Sequence, residues 1–211
     1  MKRRSYGRDV AVDKRDRKFR FPRLTTTRNS RTWNDTWWRG DQGYTPSCVG
    51  FAWAHWLAAA PIRQLVDPMG IYMLAQFLDE WDGQDYEGTS VRAGAKVLRS
   101  LGMVEEYRWA WRAKDVIPVL LEIGPVVVGT DWYDGMEEPD EKGFIDLTGE
   151  VLGGHAYLLR AVNVKKRRVQ ITNSWGTEWG RNGRAWLGFD DLDVLLRTEG
   201  EACLAVEKKP R

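Results

Sequence analysis

Apolar residues change their spacing at about residue 125, and the change divides the chain into a helical half and a strand half. In the first half they recur at three and four residues, the period of one helical face. The apolar run after Ser47 predicts a helix over about 48–60, with Ser47 as its N-cap and Pro61 and its neighbours closing it. Ile71, Leu74, Leu78 and Trp81 predict a second over about 69–81. A third fits 90–101, capped by Ser90 and stopped by Gly102. A fourth fits about 115–123, with Asp115 as cap, Pro118 in the first turn and Gly124 as stop. After Pro125 the pattern is that of strands. Val126-Val127-Val128 opens them, residues 156–164 and 169–172 flank a Lys165-Lys166-Arg167-Arg168 turn, and residues 185–187 and 202–206 finish the sheet. Helices first and antiparallel strands second is the α+β order. Residues 1–40 lack a clear period and read as an arm whose last part, Thr32 to Trp38, packs on the body.

Length allows one domain of two lobes: 211 residues, of which 43% are hydrophobic and 12 are tryptophan, can bury a sizeable core. The net charge of +2 hides a split. Residues 1–31 carry 12 Lys/Arg against 3 Asp, or +9, which leaves −7 for the rest. Eight of the acids fall within 131–150, beside a single Lys142. A nucleic-acid partner is one reading of the basic arm, a solvated tail another. A third is that the arm docks on the acidic loop, or that the loop attracts basic substrates. The N-terminus has charge without an apolar run behind it, so no secretory signal is expected. No stretch approaches ~18 apolar residues, so no membrane span is expected. The two cysteines, Cys48 and Cys203, predict no structural disulfide if Cys48 is a nucleophile, which suits a reducing, intracellular setting.

Candidate chemistry gathers in three windows. Cys48 stands at the mouth of the first helix, where the macrodipole favours a thiolate, and in a stretch expected to be exposed. Cysteine is also a common small core residue, so the other windows decide. Of two histidines, His55 lies on the same helix, ~10 Å further along its axis, out of reach of the sulfur. His155 follows Gly153-Gly154, which permit close approach of backbone or substrate. A hairpin centred near residue 164 would set His155 beside Asn173, ~5 Å apart at Cα. The Asn173 amide could then fix the imidazole tautomer, with Trp175 roofing the bond. Gln42, six residues before Cys48, could join the Cys48 backbone N–H in holding an oxyanion. The expectation is a resting thiolate–imidazolium pair that attacks a carbonyl and passes through a thioester.

These residues resemble those of the papain-like cysteine peptidases, of the compact bacterial, archaeal and viral sort. The likeness runs over about residues 32–206 and rests on Gln42 to Ala54, Gly153-Gly154-His155-Ala156 and Asn173-Ser174-Trp175-Gly176-Thr177-Glu178-Trp179-Gly180, continued by Asn182-Gly183. Gly124-Pro125-Val126-Val127-Val128 resembles the strand that opens the family's β lobe. The resemblance implies a two-lobed fold with the cleft between a helical lobe (about 41–123) and an antiparallel β lobe (about 124–207). It implies peptide-bond hydrolysis by Cys48, His155, Asn173 and Gln42, on a polypeptide substrate, with no cofactor or metal. It also implies substrate contacts at Gly88, Thr89, Ser90, Gly154 and Trp175. Three features depart from the family: Val49 and Thr45 replace a tryptophan and a cysteine, and only 47 residues precede Cys48. Two other readings share the same windows: a silent papain-fold binding protein, and an amidase or acyl transferase using the same thiol.

Overall fold

The computed structural model describes residues 5–11, 13–81 and 86–207. The first four residues of the expected arm and the last four of the chain lie outside that set. Helices α1 (Cys48–Ala58), α2 (Pro68–Leu78) and α3 (Val91–Ser100) come first. The sheet strands are β2 (Val104–Ala110), β3 (Val126–Tyr133), β4 (Val151–Asn163), β5 (Arg168–Thr172), β6 (Arg184–Gly188) and β7 (Glu201–Glu207). Their order is β2-β7-β3-β4-β5-β6, and every pairing is antiparallel. Within the arm, β1 (Ser30–Thr32) pairs with the far end of β4. Helices α4 (Ala113–Glu122) and α5 (Phe189–Arg197) complete the fold.

Strand side chains alternate between two cores, as the two-residue period requires. Val127, Ala156, Leu158, Cys203 and Ala205 pack with α1 and α3, while Val126, Val128, Tyr157, Leu159, Ala202 and Leu204 pack with α4 and α5. The fourth predicted helix therefore belongs to the sheet's second face, not to the helical lobe. It also begins earlier than its Asp115 suggests. The Asp193 carboxylate of α5 accepts from the Ala113 N–H at 2.9 Å, so the cap comes from another element. Pro118 consequently falls inside the helix rather than in its first turn.

On the first face α1 is buried at every residue. The Trp53 indole donates to the Val91 carbonyl at 3.0 Å. A Cβ at Gly94 would stand 2.1 Å from the Trp53 ring, so α3 approaches α1 closely because position 94 lacks a side chain. The segment 32–38 does pack on the body: Trp33 is buried, and the Asp35 carboxylate meets Arg184 at 2.7 Å and Arg39 and Arg160 at 3.5 Å. Thr32, Asn34 and Trp37 are exposed, Trp37 largely so.

Candidate active site

The helix mouth, the middle of β4 and the turn after β5 converge on one point. Ser47 occupies the N-cap of α1 but makes no capping bond; its hydroxyl pairs with Thr45 at 2.7 Å. That leaves the first turn of α1 without a side-chain cap. The backbone N–H groups of Ala156, Gly7 and Val49 lie near enough to Cys48 Sγ to favour its thiolate form. Ala156 follows His155 in β4, so the sulfur and the imidazole belong to adjoining positions across the two halves.

His155 Nε2 and Asn173 Oδ1 are 2.7 Å apart. The expected contact forms, but through a different register. Leu158 pairs with Thr172 and Leu159 with Ile171, and an irregularity follows at Ala161. Continuing that ladder sets residue 157, not 155, opposite Asn173, so the bond is a diagonal one. Asn173 Oδ1 also accepts from the Ser174 N–H at 2.8 Å, which fixes the amide. Trp175 lies 5.0 Å from the imidazole centroid and Trp132 lies 4.7 Å away, edge-on. This aromatic wall excludes water from the bond, and sequence spacing gave no sign of Trp132.

Gln42 is held from both sides. Its Oε1 accepts from Ser174 Oγ at 2.5 Å, and its Nε2 donates to Thr45 O at 2.7 Å and to Ser5 O at 3.1 Å. The amide thus already presents a donor to a carbonyl oxygen. His55 is elsewhere, as its helix position demands. It is buried, accepts from the Gly40 N–H at 3.3 Å, and packs on Trp38 at 4.7 Å. Burial pushes its pKa down to about 4, so it stays neutral.

No family model matches the chain. An uncharacterized peptidase C1-like protein of Acanthamoeba polyphaga mimivirus is 22% identical over 192 residues, covering 68% of this chain. The chain spans 61% of the length of that curated relative. Among solved structures, xylellain, a cysteine protease from Xylella fastidiosa, superposes with a TM-score of 0.79 at 18% identity, over 99% of both chains. The fold is papain-like. Bromelain from Ananas comosus, solved with the E64 inhibitor, gives 0.66 at 13% identity over 86% of this chain and all of its own. The larval midgut procathepsin L2 of Tenebrio molitor also gives 0.66, at 14% identity over 96% and 78%.

The papain-like cleft is filled by the chain's own arm. Thr89 N–H donates to Gly7 O at 2.9 Å, Asp9 N–H to Thr89 O at 3.0 Å, and Arg8 N–H to Gly154 O at 3.0 Å. Residues 7–9 are thereby held as an extended strand between the two lobes. Tyr6 lies against His155 and Trp175, and its hydroxyl donates to Glu137 at 2.6 Å. Of the residues expected to touch substrate, Thr89, Gly154 and Trp175 contact the arm. Gly88 also lies against the arm, where a Cβ would meet Asp9 at 2.8 Å and the Gly7 carbonyl at 2.9 Å, and its N–H bonds the Tyr72 hydroxyl; Ser90 instead caps α3. The glycines before His155 do permit close approach, and the arm is what approaches. A Cβ at Gly153 would meet Tyr6 at 2.8 Å, and one at Gly154 would meet the Arg8 carbonyl at 2.1 Å.

Two expectations change in consequence. Cys48 is fully buried, not exposed. Its thiol is pushed up to about 11 by that burial, against the weaker pull of three N–H donors. With the arm in place, burial disfavours the resting thiolate. Among the described residues the arm's ion pairs with the body join Arg8 to Glu201, Asp16 to Arg92, Arg28 to Glu122 and Asp35 to Arg160 and Arg184, and its hydrogen bond to the 131–150 loop is Tyr6 on Glu137. The loop's Asp140 and Asp146 tie their own turns. A cavity of about 980 Å³ lies away from Cys48, between the arm's turn at Lys14–Lys18 and residues of α3 and β2.

Proposed function

We propose that this protein is a cysteine peptidase that cuts peptide bonds through a thioester on Cys48. The observation that carries it is the 2.7 Å His155–Asn173 bond in β4, one residue from the N–H that reaches Cys48 Sγ. Asn173 holds Nε2–H, so Nδ1 is the nitrogen that takes the thiol proton. The thiolate attacks the scissile carbonyl carbon, forming the S–C bond and an oxyanion. The Gln42 amide and the Cys48 N–H hold that oxyanion, a reading supported by the donation of Gln42 Nε2 to the Ser5 carbonyl. The C–N bond then breaks and His155 returns the proton to the leaving amine. Water, deprotonated by His155, attacks the thioester and restores the thiol.

In the covered state the sulfur meets the N–H of Gly7, a donor, rather than a carbonyl carbon. Reaction therefore requires the arm to leave. A Cβ at Gly7 would stand 1.8 Å from the Pro46 carbonyl oxygen, so Gly7→Ala prevents the arm from seating. Full-length Gly7→Ala, incubated with a peptide library and quenched in acid, is expected to show cleaved peptides and a mass increment equal to an acyl group on Cys48. Both are expected to vanish in Gly7→Ala/Cys48→Ser. Hydrolysis of simple amides without any peptide cleavage would favour an amidase, and no acyl adduct on any substrate would overturn the thioester reading.

A further inference from the structure

Helix α2 carries no charged residue from Pro68 to Leu78, yet one of its faces is open to solvent. Ile71 and Ala75 turn inward against the first core. On the opposite face Phe77 is 75% exposed, Met73 64% and Leu74 47%. At about 100° per residue Met73 and Leu74 flank Phe77, so three large apolar side chains form one seam. Trp81 continues the apolar surface just past the helix end, where its N–H donates to the Asp79 carboxylate at 3.3 Å and its ring lies against Tyr86. The stripe beside the seam is committed to the cleft wall. There the Tyr72 hydroxyl accepts from Gly88 N–H at 3.1 Å, and Gln76 Nε2 donates to the carbonyls of Tyr86 and Gly88 at 3.1 and 3.3 Å.

Single exposed apolar residues are ordinary, but a contiguous group of this size is not. The open parts of the four side chains amount to about 500 Å², so two such faces bury about 1,000 Å², the size at which a specific interface begins, before any rim is counted. Chemistry then identifies the occupant. A seam without charge offers nothing to steer a charged partner, but it is complementary to itself, and a two-fold axis sets like against like. The segments 1–4, 82–85 and 208–211, outside the described residues, are charged, Gln or Gly apart from Met1 and Pro210, so they offer the seam no apolar cover. Antiparallel pairing about Phe77 sets residue 73 of one copy against residue 81 of the other. That register places the Met73 thioether on an aromatic ring, a favourable contact, and brings the two Phe77 rings together.

We propose that the outer face of α2 is a homodimer interface, in which two copies of this chain pack their Met73–Phe77 seams antiparallel about a two-fold axis near Phe77. Pairing needs no peptidase chemistry, so either reading can fail without the other. Analytical ultracentrifugation of the full chain from about 1 to 100 µM is expected to show a monomer–dimer equilibrium. Phe77→Lys and Phe77→Glu are each expected to stay monomeric over that range, because like charges then face each other across the axis. Their far-UV circular dichroism is expected to match wild type, since the side chain they replace is mostly in water. Mixed in equal amounts at low salt, the two variants are expected to form a 1:1 heterodimer at least tenfold tighter than either variant forms alone, and salt is expected to weaken it.

A wild-type chain that remains monomeric to about 100 µM overturns the interface. A dimer that persists in both variants also overturns it, since its contact then lies elsewhere, and so does association that grows with concentration without stopping at two. Variants that are monomeric alone and stay so when mixed overturn the two-fold pairing at Phe77. Should either variant fail to fold, Met73→Asp tests the same seam at a position nearly as open, with loss of the dimer expected and its survival overturning the interface.

Discussion

At the scale of single residues, each of the four residues proposed for the site sits in a short window with its own local reason. Cys48 heads an apolar helix, His155 follows two glycines, and Asn173 ends a strand before Ser174-Trp175. Gln42 was legible only by its distance from Cys48, yet it is the most firmly held of the four. If it supplies an oxyanion donor, Gln42→Ala in the Gly7→Ala background should lower kcat by about 10²–10³ with little change in KM. Steady-state kinetics on one peptide would read this, and an equal rise in KM with kcat intact would assign Gln42 to binding instead. Glu201 was not legible, because nothing local marks a glutamate as buried. Its partner Arg8 lies far away in sequence.

His55 offers a second test at this scale. Its pKa falls to about 4 in the folded chain, against an unfolded value near 6.5. The unfolded state then binds the extra proton between those values, so folding stability falls as pH drops from about 6.5 towards 4. The loss is of the order of 1 kcal/mol per pH unit. Glu201, pushed up to about 7 by burial, pulls the other way over part of that range. The difference between wild type and His55→Gln isolates the histidine. Urea denaturation of both proteins at pH 7 and pH 5 should show the wild type losing more stability than the variant, whereas parallel losses would mean that His55 is not held neutral.

At the scale of elements, the three helices of the first half and the long strands of the second were readable from period alone. Three elements went unseen, the short β1 of the arm among them. Strand β2 carries Glu105, Glu106 and Arg108 on an edge strand, so its pattern is too polar to announce itself. Helix α5 follows β6 directly at Phe189, and its signals, Gly188 before it and Asp190 and Asp191 in its first turn, are short ones. The β4–β5 register slipped from expectation because Asn163 closes the turn, accepting from Lys166 N–H at 2.9 Å, while Arg167 takes a left-handed φ of 47°. Where α1 meets α3, contact depends on the missing side chain at position 94. Gly94→Ala should cost about 1–3 kcal/mol by forcing the Trp53 ring aside. Chemical denaturation is the check, and an unchanged midpoint would show that the two helices can separate freely.

At the scale of the whole molecule, the arm is part of the fold rather than a tail, which charge counting could not show. It is fixed at Arg8, at Asp16 on Arg92, at β1 on β4, and at Asp35 among three arginines. Asp35→Ala leaves those arginines without their buried carboxylate and should cost about 3–5 kcal/mol. Thermal unfolding would show it, and a change under 1 kcal/mol would make the cluster a surface feature. Among the described residues no helix is long and apolar enough to cross a membrane.

The central claim is that Cys48 and His155 form one reactive pair and that the arm covers it. Alkylation by iodoacetamide at pH 5.5, mapped by mass spectrometry, tests both halves together. Wild type should label slowly at Cys48 and Cys203 alike; Gly7→Ala should label rapidly at Cys48 alone; and Gly7→Ala/His155→Ala should return to the slow rate. Slow, equal labelling of both cysteines in Gly7→Ala, or rapid labelling that ignores the loss of His155, would contradict the account.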